Sequence, residues 1–305
     1  MARQIAAVQR LGVDVSTAEI NGPPKLKYLT ILPTIVKKAK AVDLVHAHFG
    51  YSGWVALAQR SRPVVISFMG NDLLGKTIGS GRRSIGSALS IALNQMAARL
   101  ASSAIVKSAE MASMLEGVDP FVIPNGVDLD AFAPIDREEA RRRLGWPTDR
   151  LIALFPGNPD FPNKGYSVFA GAAATAADIL GQPVETRVLW GIQPDLVPIV
   201  MSATDALVLA SQTEGSPNVV KEALACELPV VATRVGDVPW LLDGAEGCFL
   251  TDREPGPMGR ALARALSCGR LNCGRRILRE RGLDDASVAR RIVAVYDGVL
   301  KKVSA

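Results

Sequence analysis

Aromatic residues make up only 5% of this 305-residue chain, histidines number two and cysteines four. Each scarcity excludes something. Basic segments without interleaved aromatic rings offer no platform for stacking bases, so no nucleic-acid partner is expected. Cys226, Cys248, Cys268 and Cys273 lack the paired spacing of a zinc site and read as packing residues. Such free thiols suit the cytosol, so a cytoplasmic protein is expected. No apolar run reaches the roughly 20 residues that span a bilayer. The most apolar stretch, 85–106, is broken by Asn94, Gln95 and Arg99 and reads as a buried helix followed by a strand. The opening MARQIAAVQRLG has no long apolar core or cleavage site, so no secretion signal is expected. No carboxylate pattern fits a metal site; Asp128 and Asp130, in a turn-like stretch, are the pair to suspect otherwise. No metal and no cofactor are therefore expected.

What is present is a folded, two-domain composition. Hydrophobic residues are 48% and charged residues 21% of the chain, and its length exceeds what one core usually serves. Net charge is +5, with Lys25, Lys27, Lys37, Lys38 and Lys40 crowded early and Arg82 and Arg83 following. These read as a solvated face, with peripheral attraction to an anionic membrane as the alternative. Short β-branched runs alternate with helical patterns, which argues for parallel α/β sheets. Strands are expected over 13–20, 42–47, 64–68, 104–107 and 121–123, then over 151–155, 186–189, 206–209, 230–232 and 248–250. Helices are expected over 3–11, 95–100, 138–144 and 166–180. The polar stretch 133–150 separates the two sets, giving domains 1–147 and 148–286. Residues 287–300 form an amphipathic pattern with Val288, Ile292, Val295 and Val299 on one stripe.

The densest chemistry lies in Thr213-Glu214-Gly215-Ser216-Pro217-Asn218-Val219-Val220-Lys221-Glu222. Ser216 is a suitable N-cap and Pro217 a suitable first helical residue. The N–H groups of Asn218, Val219 and Val220 would then face an anion at the positive end of the helix dipole. Glu214 sits just before that end and Glu222 further along the same helix. One carboxylate beside an anion-binding turn and another within reach suit a phosphorylated ligand that carries hydroxyls, such as a nucleotide sugar.

The Glu-x7-Glu block EGSPNVVKEALACELPVVATRVGDVPWLL resembles the donor-site signature of GT-B retaining glycosyltransferases, family 4. The similarity extends through Asp43-Leu44-Val45-His46-Ala47-His48, Val122-Ile123-Pro124-Asn125-Gly126-Val127-Asp128 and Lys164-Gly165, in the family's order. The resemblance implies two Rossmann-like parallel-sheet domains facing across a cleft, with a last helix (287–305) crossing back to the first. It implies transfer of a hexose from a nucleotide diphosphate sugar to a saccharide or lipid-linked acceptor, as in cell-envelope polysaccharide synthesis, without metal. Family members usually begin with a strand and glycine-rich turn; none is seen before residue 13, so a shortened start is expected.

Roles follow residue by residue. Lys164 takes the family's phosphate-binding position, after a strand and the loop 156–163, where α/β ligands bind. Asn158 stands where many members have an arginine. Glu214 would meet sugar hydroxyls, helped by the N–H groups of Gly215 and Ser216, and Glu222 would accept from the ribose. His48, at the carboxyl end of its strand, would contact the donor sugar or the acceptor, whereas His46 reads as structural. Met69 replaces a histidine common in relatives, while Asp72 survives as an acceptor-side candidate. Asn125 ends a strand in an Asn-Gly turn, where turn chemistry and donor contact weigh equally. Two rivals stay open: a nucleotide-sugar epimerase on the same fold, and a nucleotide-sugar-binding protein impaired in catalysis.

Overall fold

The computed structural model describes residues 2–23, 27–75, 77–78, 82–83 and 85–304; Lys25 and the side chains of Arg82 and Arg83 lie outside that description. Contacts divide the chain into unit 1, residues 1–125 with 285–305, and unit 2, residues 126–284. The division falls about twenty residues before the boundary expected near 147, and Arg141 is the reason. Its fully buried guanidinium bonds Asp205 Oδ2 at 2.7 Å and the carbonyls of Ala203, Pro147, Thr148 and Arg150. Asp205 also accepts from Ile152 N–H at 2.7 Å and from Arg137 at 2.8 Å. A buried charge held by this many partners binds residues 137–152 into unit 2. The helix that carries it, Arg137–Leu144, is capped by Asp136 at Glu139 N–H and stopped by Gly145 at φ 66°. The polar composition of 133–150 therefore marks a surface helix, not a linker.

Unit 1 holds strands β1 (Val45–His48), β2 (Val64–Ser67), β3 (Thr77–Ile78), β4 (Arg82–Arg83), β5 (Ser103–Val106) and β6 (Phe121–Val122). The main sheet is parallel in the order β1-β2-β5-β6, and β3 and β4 form a separate antiparallel pair. Val64, Val65, Ile66 and Ser67 are all buried, as a central parallel strand covered on both faces should be. One sheet face is covered by helix Ala2–Gln9 and by the last helix, Asp285–Ser304, whose Val288, Ile292, Val295 and Val299 join Ala7, Val8, Val65 and Ile105 in one cluster. Residues 13–20 do not form the expected strand. Val13, Val15 and Ile20 turn partly inward while Asp14, Ser16, Thr17 and Glu19 stay exposed, but among the described residues no strand pairs with them. Alternation alone aims side chains; a strand also needs a neighbour for its N–H and C=O groups.

Unit 2 holds β7 (Leu151–Phe155), β8 (Val184–Val188), β9 (Ala206–Leu209), β10 (Val230–Thr233) and β11 (Phe249–Thr251), all parallel, in the order β11-β10-β9-β7-β8. Period-two alternation sorts the two cores: Leu154, Leu207 and Leu209 face one cluster, and Ala153, Phe155, Ala206 and Val208 the other. Helix Tyr166–Leu180 packs closely on helix Pro255–Cys268, since a Cβ on Gly259 would stand 2.4 Å from Thr175 Cβ. The order matters for function. The chain leaves β7 toward β8 on one side and returns to β9 on the other, so the order of winding reverses between β7 and β9 while the strands stay parallel. Such a switch point opens a crevice at the carboxyl ends of the strands.

Candidate functional site

A pocket of about 460 Å³ occupies that position in unit 2. Its walls come from the segments after β7 (Pro156, Gly157, Lys164), after β8 (Leu189 to Ile192) and after β9 (Glu214, Pro217 to Val219, and Glu222). Lys164 and Glu214 meet directly, Nζ to Oε1 at 2.5 Å, and Ser211 Oγ donates to the same oxygen at 2.8 Å. The pair is 27% and 18% exposed, open enough for a ligand and shielded enough for the charges to act.

The loops that carry the pair are stapled together. Lys164 closes the short 3-10 turn Pro162–Lys164, and Gly165 follows at φ 75°. A Cβ at Gly165 would stand 2.5 Å from the Ala210 carbonyl, so only glycine allows this approach. Gln212 N–H donates to Asn163 O at 2.8 Å, while Arg253 bonds Ala210 O at 2.8 Å and Pro162 O at 3.0 Å. These bonds hold the β7 and β9 loops at a fixed separation.

Helix Asn218–Ala225 points its start into the pocket. Pro217, extended at φ −70° and ψ 115°, occupies the N-cap position expected for Ser216, and Asn218 is the first helical residue. The cause is Lys221. Its side chain is fully buried, and its ammonium donates to Ser216 Oγ at 2.9 Å, which commits that hydroxyl. Asp237 lies close by. Burial pushes its carboxyl up to about 6, while the Lys221 charge and the Ser216 hydroxyl draw it back down. The backbone above this group is tight, for a Cβ on Gly236 would sit 2.2 Å from Gly215 O and Asp237 N–H donates to that oxygen at 3.2 Å. Gly215 and Ser216 thus lie behind the pocket as its support. Asn218, Val219 and the half-buried Glu222 line it.

Asn158 takes a different role from the expected donor contact. Its side chain accepts from Asp160 N–H at 2.9 Å and shapes the loop locally; it does not line the pocket.

The remaining expected residues belong to unit 1. His48 stacks on His46, ring centroids 4.5 Å apart, and lines a separate unit 1 cavity of about 550 Å³. His46 is fixed by Tyr296 Oη at 2.6 Å and Ser67 Oγ at 2.8 Å. Burial, then the Lys107 ammonium, lowers His48 to about 4, and burial holds His46 well below the usual histidine range. Both rings are neutral at pH 7. Asp72 is engaged by the turn beside it: its oxygens accept from Met69 N–H at 3.0 and 3.1 Å and from Gly70 N–H at 2.9 Å. Burial raises its carboxyl despite these bonds. Asn125 is half-buried at the end of the first segment of unit 1.

Sequence reasoning missed Trp190, Ile192, Leu189 and Val197, which make the pocket's apolar wall, as well as Ser211, Lys221, Asp237 and Arg253. For Trp190 a signal existed, since an aromatic followed by glycine after a strand marks a loop at the strand's carboxyl end. Nothing local distinguishes Arg253.

Comparison with known proteins agrees with this geometry. Residues 4–131 match the profile described as Glycosyltransferase Family 4, and residues 153–268 match the one described as Glycosyl transferases group 1. The chain belongs to the family 4 glycosyltransferases. Among the relatives of this family 4 chain, a D-inositol 3-phosphate glycosyltransferase of Geodermatophilus obscurus is 30% identical over 269 residues, covering 74% of this chain and 59% of that one. A putative teichuronic acid biosynthesis glycosyltransferase of Bacillus subtilis is 28% identical over 262 residues, covering 77% and 64%. The family 4 chain therefore spans about three fifths of the length of the curated relatives it matches. Solved structures show the fold to be GT-B. A sucrose-phosphate synthase of Thermosynechococcus elongatus superposes with TM-score 0.74 at 19% identity, over 95% of this chain and 83% of that one. The Anabaena protein HepE, crystallised with UDP, superposes with TM-score 0.70 at 19% identity, over 96% and 89%.

Proposed function

We propose that the protein is a retaining glycosyltransferase that moves a hexose from a nucleotide diphosphate sugar to a saccharide or lipid-linked acceptor in polysaccharide assembly. The observation that supports it most is one unit 2 pocket that combines a helix start, a lysine and two carboxylates at a sheet switch point. In this reading the diphosphate lies over the N–H groups of Asn218 and Val219 and against the Lys164 ammonium. Glu222 accepts from the ribose hydroxyls, and the wall of Leu189, Trp190, Ile192 and Val197 faces the base. Glu214 keeps its Oε1 on Lys164 and Ser211 and offers Oε2 to the hexose hydroxyls. That HepE was crystallised with UDP supports the choice of nucleotide.

The step is an exchange of bonds at the anomeric carbon. The acceptor oxygen attacks, the bond to the departing phosphate oxygen breaks, and that phosphate takes the acceptor proton. Charge accumulates on the phosphate, where Lys164 and the helix N–H groups stabilise it in advance. The reading includes no metal, and activity should persist in a chelator. It also makes the protein cytoplasmic and peripherally attached to an anionic membrane; no described helix is long and apolar enough to cross one.

Calorimetry with UDP and GDP, followed by turnover of the matching nucleotide sugar, tests the proposal. Binding of one nucleotide with sugar transfer supports it. No binding of either removes the site assignment, binding without turnover favours a binding protein, and epimer formation from donor alone favours an epimerase.

A further inference from the structure

Helix Ile85–Leu100 buries one face in unit 1 and leaves an apolar one in solvent. Ile91, Asn94, Ala97 and Ala98 are buried, whereas Leu89 is 63% exposed, Leu93 36%, Met96 51% and Leu100 60%. Spacings of four, three and four place these exposed residues on one stripe. Gly86, Ala88 and Ala92 are also exposed, the helix contains no acidic residue, and its only charged residue is Arg99, which bonds Glu116 O. An ordinary surface helix is polar on its outer face.

The stripe continues onto neighbouring elements. Ser90 bonds Tyr51 Oη at 3.0 Å, the Tyr51 ring meets that of Tyr28 at 5.8 Å, and the Lys27 ammonium stands 5.2 Å over the Tyr28 ring. Leu29, next to Tyr28, is 69% exposed. Leucines and a methionine bordered by tyrosines and a lysine make the sequence of chemistries met on passing from acyl chains to headgroups.

The charge of the chain is divided to match. Unit 1 carries 18 Lys and Arg against 9 Asp and Glu, a net +9, and unit 2 carries 17 against 21, a net −4. A second copy pairing through this face would bring two strongly positive units together, whereas an anionic bilayer would attract each of them.

We propose that the exposed stripe of helix Ile85–Leu100, with Leu29 and Tyr51 at its margin, is the surface by which unit 1 seats on an anionic lipid bilayer. The inference rests on the peripheral attachment in the functional reading and assigns it a place; catalysis does not enter. Leu89, Leu93 and Met96 enter the acyl boundary, and the basic residues of unit 1 face the headgroups. Attachment needs both parts, so it weakens with salt and with neutral lipid.

Co-sedimentation with vesicles rich in phosphatidylglycerol, compared with phosphatidylcholine alone, tests it on the purified chain. Binding to the anionic vesicles only is expected, with a loss on the order of tenfold or more in L89S/M96S. Both positions are exposed, so the fold should survive; an unchanged UDP titration and thermal transition check each unit. If the variant binds vesicles as well as the parent, the stripe is the wrong surface although attachment stands. If the parent binds no vesicle, attachment itself fails while nucleotide binding is untouched. A dimer in sedimentation equilibrium that L89S/M96S dissolves would assign the stripe to a second copy and overturn the proposal.

Discussion

The two units bury charge in opposite ways. Unit 1 encloses two imidazoles in their neutral form, with the Lys107 ammonium nearby, and keeps an excess of positive charge at its surface. Unit 2 encloses Arg141 against Asp205 and Lys221 near Asp237, each cation beside an acid, and carries net negative charge. The difference follows from what each sheet supports. In the proposed reading the loop after β9 meets a phosphorylated ligand, and Lys221 holds that loop through Ser216. Arg141 and Asp205 sit instead at the amino ends of β7 and β9 and hold residues 137–152, and removing one partner of a buried charge risks a large loss. In unit 1 the carboxyl end of β1 carries a hydrogen-bonded His46 and a neutral His48 beside a cavity. Unit 2 thus sets a lysine and a helix start at its pocket, whereas unit 1 sets neutral histidines beside its cavity.

The largest expected effect tests the pinning. Lys221→Met leaves Asp237 buried beside an uncharged side chain and should destabilise unit 2 by about 3–5 kcal/mol. Tryptophan fluorescence during denaturant unfolding reports it, since Trp146, Trp190 and Trp240 lie in unit 2 and only Trp54 in unit 1. Adding Asp237→Leu should recover much of the loss. A loss below about 1 kcal/mol in the single variant, the level of an exposed ion pair, would show that Lys221 does not anchor the turn.

Next in size is the pocket itself. Glu222→Ala should weaken UDP binding more than tenfold, because a bond to a charged carboxylate is worth on the order of 1.5–3 kcal/mol. His48→Ala should leave UDP affinity unchanged, since its cavity belongs to unit 1. Equal losses in calorimetry would erase the functional distinction between the units. Glu214→Ala should lower turnover more than UDP affinity, because its second oxygen is assigned to the sugar, which UDP lacks. A fall in affinity matching that of Glu222→Ala would move Glu214 to the nucleotide.

How far the sequence reveals this design depends on whether a feature is local. β7, β9 and helix Tyr166–Leu180 follow from their apolar periodicity with the expected bounds, because each is buried whichever neighbour it has. The Glu214–Glu222 block is equally legible, since a helix start encodes its own anion preference in adjacent residues. Residues 13–20 show the limit: their alternation is strand-like, but pairing depends on what lies alongside. The same holds for Ser216, whose N-cap role was lost to a lysine five residues later that points into the core. Arg141 stands in the polar stretch expected to separate the two domains, and only the packed structure shows it buried on Asp205. Long-range partners decide such residues, and no window of sequence contains both members.

The smallest effect concerns pH, where the two units should move in opposite directions. His48 titrates near 4 in the fold and near 6.5 when unfolded, and His46 is shifted the same way. Between those values the unfolded chain binds more protons, so the stability of unit 1 is full above about 6.5 and declines as pH falls toward 4. Asp237 is the mirror case, titrating near 6 in the fold and about 3.9 unfolded. The folded form binds more protons in that window, so its contribution is complete at the acid end and is lost as pH rises through about 6. From pH 7 to 5, then, unit 1 should weaken while Asp237 favours unit 2. Amide exchange corrected for intrinsic rates can follow Ala47 and Ile66 in β1 and β2 against Val208 and Val231 in β9 and β10. His48→Gln should flatten the unit 1 slope, and Asp237→Asn should remove the opposing one. Parallel decline of both sets of amides, unaltered by either substitution, would mean that neither buried group governs its unit and that the electrostatic contrast is confined to the surface.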